Sequence, residues 1–171
     1  MANSGELLVS NRNGEYIIKV SGRATFDCAP PLRDLAKNLD QEKFTAIRVD
    51  LAACEWMDST FMGVLAMLGL RAKKINAVME ICAASAQNEE LLAALGLKKL
   101  FVFTQNTIEN SGCESCIKGG STEMVQAKEG AQTVLEAHQT LMDVDDQNVA
   151  KFEKVVDLVQ MDIDRMNNDS E

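Results

Sequence analysis

A chain of 171 residues with 46% apolar and 25% charged side chains describes one globular unit with a sizeable core and room for an appendage. Its apolar runs fall short of the ~18 residues a membrane span requires, and MANSGELL lacks basic or apolar leader character, so a cytoplasmic protein with no membrane partner is predicted. The net charge of −9 is concentrated at residues 113–171, which hold −8 of it; without a basic stripe, direct nucleic-acid binding is disfavoured.

In chain order, Leu7 to Val9 and Tyr16 to Val20 flank Asn13-Gly14, the strongest short signal for an antiparallel hairpin. After a loop over residues 22–31, Leu32, Leu35, Ala36 and Leu39 fall at helical spacing, with the Pro30-Pro31 pair restricting the start of that helix. Ile47, Val49 and Leu51 alternate as a strand, and residues 52–57 are expected as the connection that leaves it. Residues 61–70 are apolar on most faces and run into Arg71, Lys73 and Lys74, cations suited to a helix C-terminus, so a largely buried helix is predicted. A short β run at residues 77–82, an amphipathic helix over residues 88–95 closed by Gly96, and a last strand at residues 100–103 complete a mixed, partly parallel sheet covered by helices.

Composition then changes to Asn, Ser, Gly and Cys over residues 104–122, turn chemistry without periodicity. Beyond it, Met124, Ala127, Ala131, Val134, His138 and Leu141 recur at alternating steps of three and four, as do Val149, Phe152, Val156, Val159, Ile163 and Met166. Two helices follow, reversing near Asp145, an expected N-cap with Val144 and Val149 as a hydrophobic staple. Such a hairpin must pack on the sheet or on a second copy; two full seams favour the copy, hence a homodimer through these helices. Gly130 inside the first helix costs about 1 kcal/mol relative to Ala, marking a weak point or a close contact. The domain division expected is 1–111 for the sheet unit, 112–121 for a linker and 122–171 for the helical extension.

The polar triplet Asp58, Ser59, Thr60 interrupts the apolar run of residues 49–68 at a strand-to-helix junction, where open α/β sheets place functional groups. Capping of the following helix by Asp58 and Ser59 is the plain structural account of these side chains. Cys113 and Cys116 form a lone C-x-x-C without the strand-to-helix context or second ligand pair that redox or zinc chemistry needs. With five cysteines a disulfide framework is not expected, and Cys28, Cys54 and Cys82 read as small reduced hydrophobes. His138, the only histidine, belongs to the helical seam, and Trp56 to packing at the end of its strand. Neither a phosphate-binding Gly-rich loop nor a nucleophile–base set is visible, so no catalytic residue, metal or cofactor is predicted.

Taken in order, GRATFDCAPPLRDL (residues 22–35), VDLAACEWMDSTFMGVLAML (residues 49–68) and QNEELLAALGLKKLFVF (residues 87–103) resemble the STAS domain of bacterial anti-sigma factor antagonists over about residues 5–110. Asp58, Ser59 and Thr60 match the family's Asp-Ser-Ser/Thr-Gly signature, followed by Gly63, Val64 and Leu65, and Asp27 holds the acidic position of its first loop. The resemblance implies an α/β STAS-like mixed sheet covered by helices, here with a C-terminal helical hairpin extension. It further implies a non-enzymatic partner-switching regulator: Ser59 is phosphorylated by an anti-sigma factor with serine kinase activity, phosphorylation releases that partner, and a serine phosphatase restores binding. Asp27, Asp58, Ser59, Thr60 and Phe61 would form the partner surface. Phe61 stands where the family usually has glycine, which either alters that surface or turns the ring inward with Leu65 and Leu68. The alternative of a different class is a STAS scaffold or transport-accessory module in which Ser59 is only a helix cap.

Overall fold

A computed structural model of the chain describes residues 5–39, 43–108, 115–116 and 123–169. Strands β1 (Glu6–Arg12) and β2 (Glu15–Ala24) pair antiparallel about Asn13 and Gly14, both at positive φ, as the two-residue hairpin signal requires. Helix α1 (Ala29–Asn38) starts with a proline in its first turn and leads to β3 (Ala46–Met57), which lies parallel to β2. Helix α2 (Ser59–Lys74), β4 (Val78–Cys82), α3 (Ala86–Ala94) and β5 (Val102–Thr104) extend the parallel part of the sheet. A two-residue strand β6 (Ser115–Cys116), inside the segment expected as linker, pairs antiparallel with β1; the sheet order is β5-β4-β3-β2-β1-β6. Cys113 lies outside the described residues.

Two expectations need correction. Residues 52–57 do not leave the sheet: they continue β3, because β2 is ten residues long and offers partners as far as Ala24, opposite Met57, with register shifts after Lys19 and Gly22. The last strand starts later than expected, since Lys98–Leu100 forms a single 3₁₀ turn before Val102.

One face of the sheet carries Ile18, Val20, Ile47, Val49, Met79 and Ile81, which form a single core with Leu32 and Ala36 of α1 and Phe61, Leu65 and Leu68 of α2. On the other face Arg48 spans from Glu15 (3.1 Å) to Glu80 (3.2 Å), a partly exposed ion pairing worth little by itself. Cys54 and Cys82 are buried, which pushes both thiols up to about 11 and keeps them protonated at neutral pH.

Helices α4 (Glu123–Val144) and α5 (Gln147–Asn168) form the expected antiparallel pair. The N-cap of α5 is Asp146, one residue later than expected and without a side-chain cap bond, while Asp145 Oδ1 accepts from the backbone N–H of Gln147 at 2.9 Å. The expected homodimer through these seams is not required to cover α4, because the hairpin packs back on the sheet domain. Helix α4 lies along α2 and touches α1. The reason is legible in α2, where every residue from 60 to 69 is buried: a helix apolar all round needs cover on the side away from the sheet. Opposite it, α4 presents Ala137, which with Thr133 and Leu141, four residues apart and fully buried, forms a stripe that shares Leu141 with the seam carrying His138.

Two of the three helical glycines on these elements, Gly63 and Gly130, play opposite parts. A Cβ on Gly63 would meet the Ala137 carbonyl oxygen at 2.5 Å and the Ala137 Cβ at 2.7 Å, so Gly63 is where the two backbones approach. A Cβ on Gly130 would meet nothing within 4 Å, so Gly130 marks a weak point of α4 and not a close contact. The same substitution is therefore expected to have opposite signs: Gly130→Ala should raise the unfolding free energy by about 0.4–1 kcal/mol, and Gly63→Ala should lower it by about 1–3 kcal/mol through overpacking. Urea denaturation of the two variants beside wild type checks this; equal effects would contradict the backbone approach.

Candidate functional site

At the C-terminal end of β3 the chain turns into α2 through Asp58, whose extended backbone makes it the N-cap. Its Oδ1 accepts from the Phe61 N–H and its Oδ2 from the Phe26 N–H, both at 2.8 Å, while its own N–H donates to the Ala24 carbonyl at 3.0 Å. One carboxylate thus closes the first turn of α2 and ties the 25–28 loop to it. The cap belongs to Asp58 alone. Ser59 is the first helical residue and its hydroxyl is directed elsewhere.

That hydroxyl meets α4. Ser59 Oγ lies 2.9 Å from His138 Nε2, and His138 Nδ1 lies 2.7 Å from the Val134 carbonyl of its own helix. A carbonyl only accepts, so Nδ1 carries the proton, Nε2 is the acceptor, and Ser59 donates. The ring is held from its other side by Phe152 of α5, edge-on at 4.9 Å between centroids. Burial lowers the His138 pKa below its ordinary value, with the Val134 carbonyl and the nearby Asp58 charge acting in the opposite sense.

Residues adjacent to His138 complete the contact. Ala137 fits against Gly63, and Glu136 accepts from Arg33 Nε at 2.5 Å, Arg33 Nη2 at 3.2 Å and Lys37 Nζ at 2.8 Å, with Gln132 Nε2 at 3.1 Å. Burial alone would raise the Glu136 carboxyl, yet hydrogen bonds from Arg33, Lys37 and Gln132 outweigh it and bring it down to about 2. Arg33 is left 9% exposed, a buried cation whose close countercharge is Glu136 of the hairpin, with the exposed Asp34 at 3.7 Å.

Of the residues expected on a partner surface, the structure brings Asp58 and Ser59 together, both half-buried, with Asp27 exposed in the neighbouring loop. Phe26 in that loop is 51% exposed. Thr60 and Phe61 are corrections: Thr60 is buried and Phe61 wholly enclosed, so the ring turns inward and neither side chain contributes to the surface. Trp56 is half-buried with the Arg23 guanidinium 4.7 Å above its ring. Sequence reasoning missed Arg33, Lys37 and Glu136. No sequence signal pointed to them, because the close approach that aligns them is made by Gly63 and Ala137, small residues that leave no mark in the hydropathy pattern. Among the described residues no group of three or more His, Cys, Asp or Glu side chains is arranged to hold a metal, and no helix is long and apolar enough to cross a membrane.

Two outcomes follow from this geometry. Asp58→Ala, which removes both backbone acceptors, is expected to cost about 0.5–2 kcal/mol in urea unfolding. His138 is held neutral by burial, so its contribution is complete above its ordinary value of 6.5 and is lost as pH falls below it. Unfolding free energy should therefore drop between about pH 7.5 and about pH 5.5 by more in wild type than in His138→Gln. The Glu136 carboxyl stays ionised through that window, with Arg33 and Lys37 beside it. Equal slopes in the two proteins would remove His138 from the account.

Comparison with known proteins comes down on the same fold. The family described as Mlab, STAS domain matches residues 8–103, more than half of the chain, and leaves α4 and α5 outside the match. Among solved structures, the anti-sigma factor antagonist SpoIIAA in its unphosphorylated form is similar with a TM-score of 0.51 at 10% identity, over 60% of this chain and 89% of that one. An anti-sigma factor antagonist from Mycobacterium paratuberculosis gives 0.50 at 23% identity, over 60% and 87%. A variant of RsbS from Moorella thermoacetica gives 0.50 at 14%, also over 60% and 87%. Comparison with curated proteins gives no match. The hairpin-first mixed sheet, the Asp58-capped α2 and the match over residues 8–103 together establish that the chain belongs to the STAS domain family.

Proposed function

We propose that this chain is an anti-sigma factor antagonist acting by partner switching in the cytoplasm of a bacterium. It binds an anti-sigma factor with serine kinase activity while Ser59 is unphosphorylated, is released when that kinase phosphorylates Ser59, and is restored by a serine phosphatase. It is a binding protein and a kinase substrate, with no catalysis of its own. The observation that carries this reading is the position of the Ser59 hydroxyl in the first turn of α2, one residue from Asp58, whose carboxylate also fixes the loop bearing Phe26 and Asp27. A phosphate there adds about −1.5 to −2 charge beside an existing carboxylate, so a partner fitted to the bare hydroxyl is repelled. The partner surface is thereby Asp58 and Ser59 with Asp27 and the exposed Phe26, while Thr60 and Phe61 support it from beneath.

A scaffold or transport-accessory STAS module is the second reading, and one observation favours it: the Ser59 hydroxyl is already engaged by His138 within the chain. Capture from native lysate on wild type, Ser59→Ala and Ser59→Asp separates the two. Partner switching expects a serine kinase retained by wild type and by Ser59→Ala, lost from Ser59→Asp, and phosphate incorporated only where Ser59 is present. Phosphate at another residue, or a partner set indifferent to all three, would leave the scaffold reading standing.

A further inference from the structure

The α1–α2 face that receives α4 has a defined specification. Arg33 and Lys37 offer a pair of cations, Gly63 leaves a notch with no side chain, and Ser59 offers a hydroxyl donor. Three consecutive residues of α4 fill it: the carboxylate of Glu136, the methyl of Ala137 and the imidazole acceptor of His138. The far end of the hairpin is fastened separately. Asn148, fully buried, donates through Nδ2 to the carbonyls of Leu95 (2.9 Å) and Leu141 (2.8 Å), and Lys99 and Lys151 donate to the carbonyls of Val144 (2.8 Å) and Ala94 (2.9 Å). The hairpin thus has an anchored end at its turn and a closing end at Ser59.

We infer that the α1–α2 face is a docking seat for a helix bearing the carboxylate–small residue–acceptor pattern, occupied in cis by α4, and that a partner protein engages Ser59 by inserting a helix of this kind in place of α4. The inference rests on the proposed function only in taking the Ser59 surface as the partner surface. Two features of the contact carry it. First, the seat is polar where it is closed: a buried arginine and a serine hydroxyl are satisfied by α4, so any helix that replaces it must bring the same groups or leave Arg33 buried with only its longer 3.7 Å ion pair to the exposed Asp34. Second, α4 lies along α2 and its His138 Nε2 accepts the Ser59 hydroxyl at 2.9 Å, so a partner reaching Ser59 from this side meets α4 first and has to displace it. The helix that closes the seat lies outside residues 8–103, the segment matched by the family. Its occupancy reduces the apparent affinity of any competing helix by the fraction of molecules in which the seat is open.

The test uses a fluorescein-labelled peptide of residues 128–144 and the full-length protein. Ala137→Arg in the full chain drives a large side chain into the Gly63 notch and empties the seat. This variant is expected to bind the wild-type peptide saturably and at least about tenfold more tightly than the wild-type protein does. Amide exchange over residues 60–64 should accelerate in parallel, and a peptide carrying the same Ala137→Arg change should not bind. Binding no tighter to the variant than to wild type, or unchanged exchange over residues 60–64, would overturn the inference. Where Ala137→Arg fails to fold cooperatively, Glu136→Lys in the full chain, which places a third cation beside Arg33 and Lys37, takes its place: tighter peptide binding and faster exchange again support the seat, and the absence of either overturns it. Neither measurement involves phosphorylation: a positive peptide result with no kinase captured from lysate would defeat partner switching and leave the seat, and the converse would defeat the seat alone.

Discussion

Helix α2 is apolar on every side over two and a half turns, and that fact organises the molecule. The sheet can cover only one side of a helix, so a second element must lie on the other; in this chain it is α4. Close approach of the two helices is possible because residue 63 is glycine and residue 137 alanine, which brings the backbone of one helix against the other. The register set by this contact then determines which α4 side chains reach the rim of α2. Glu136 falls over α1 and His138 over the first turn of α2, and the electrostatics of the site follow from where the small residues meet.

The rim itself is built by short-range chemistry. Asp58 accepts two backbone N–H groups from different parts of the chain, Phe26 and Phe61, so the loop after β2 and the start of α2 are tied to one carboxylate. With both Asp58 oxygens engaged, the imidazole of His138 takes its orientation from the Val134 carbonyl and its position from Phe152. Ser59 is left with one function in the closed state, donating to that ring. The proposed phosphoacceptor role of Ser59 is compatible with its hydrogen bond to His138 if the inferred displacement of α4 opens that surface.

Arg33 illustrates why the closed state is specific. A guanidinium buried without a countercharge is costly, while one paired bidentately with a carboxylate is tolerated; the seat therefore discriminates among helices by what it would suffer if left unfilled. Lys37, more exposed, adds less to stability and more to the attraction of an acidic helix. The acidity of the C-terminal third, −8 within residues 113–171, complements these cations at Glu136, the carboxylate on which docking depends.

What the sequence by itself determined is what local physics dictates: the Asn13-Gly14 hairpin, α1, the apolar α2 with its Asp58-Ser59-Thr60 start, α3 ending at Gly96, and two helices reversing near Asp145. Turn residues, caps and periodicity act over a few positions and are readable without a partner. The continuation of β3 through residues 52–57 was not readable, because Ala52 to Trp56 lacks alternation and is held as strand by the length of β2 opposite. Likewise the inward turn of Phe61 and the union of Ser59 with His138, 79 positions away, depend on how helices pack. Two helical seams pointed to self-association; the burial of Ala137 beside the α4 seam has meaning only opposite Gly63. Tertiary structure decided these points because small residues advertise nothing in a hydropathy pattern, and their effect is to let another backbone come close.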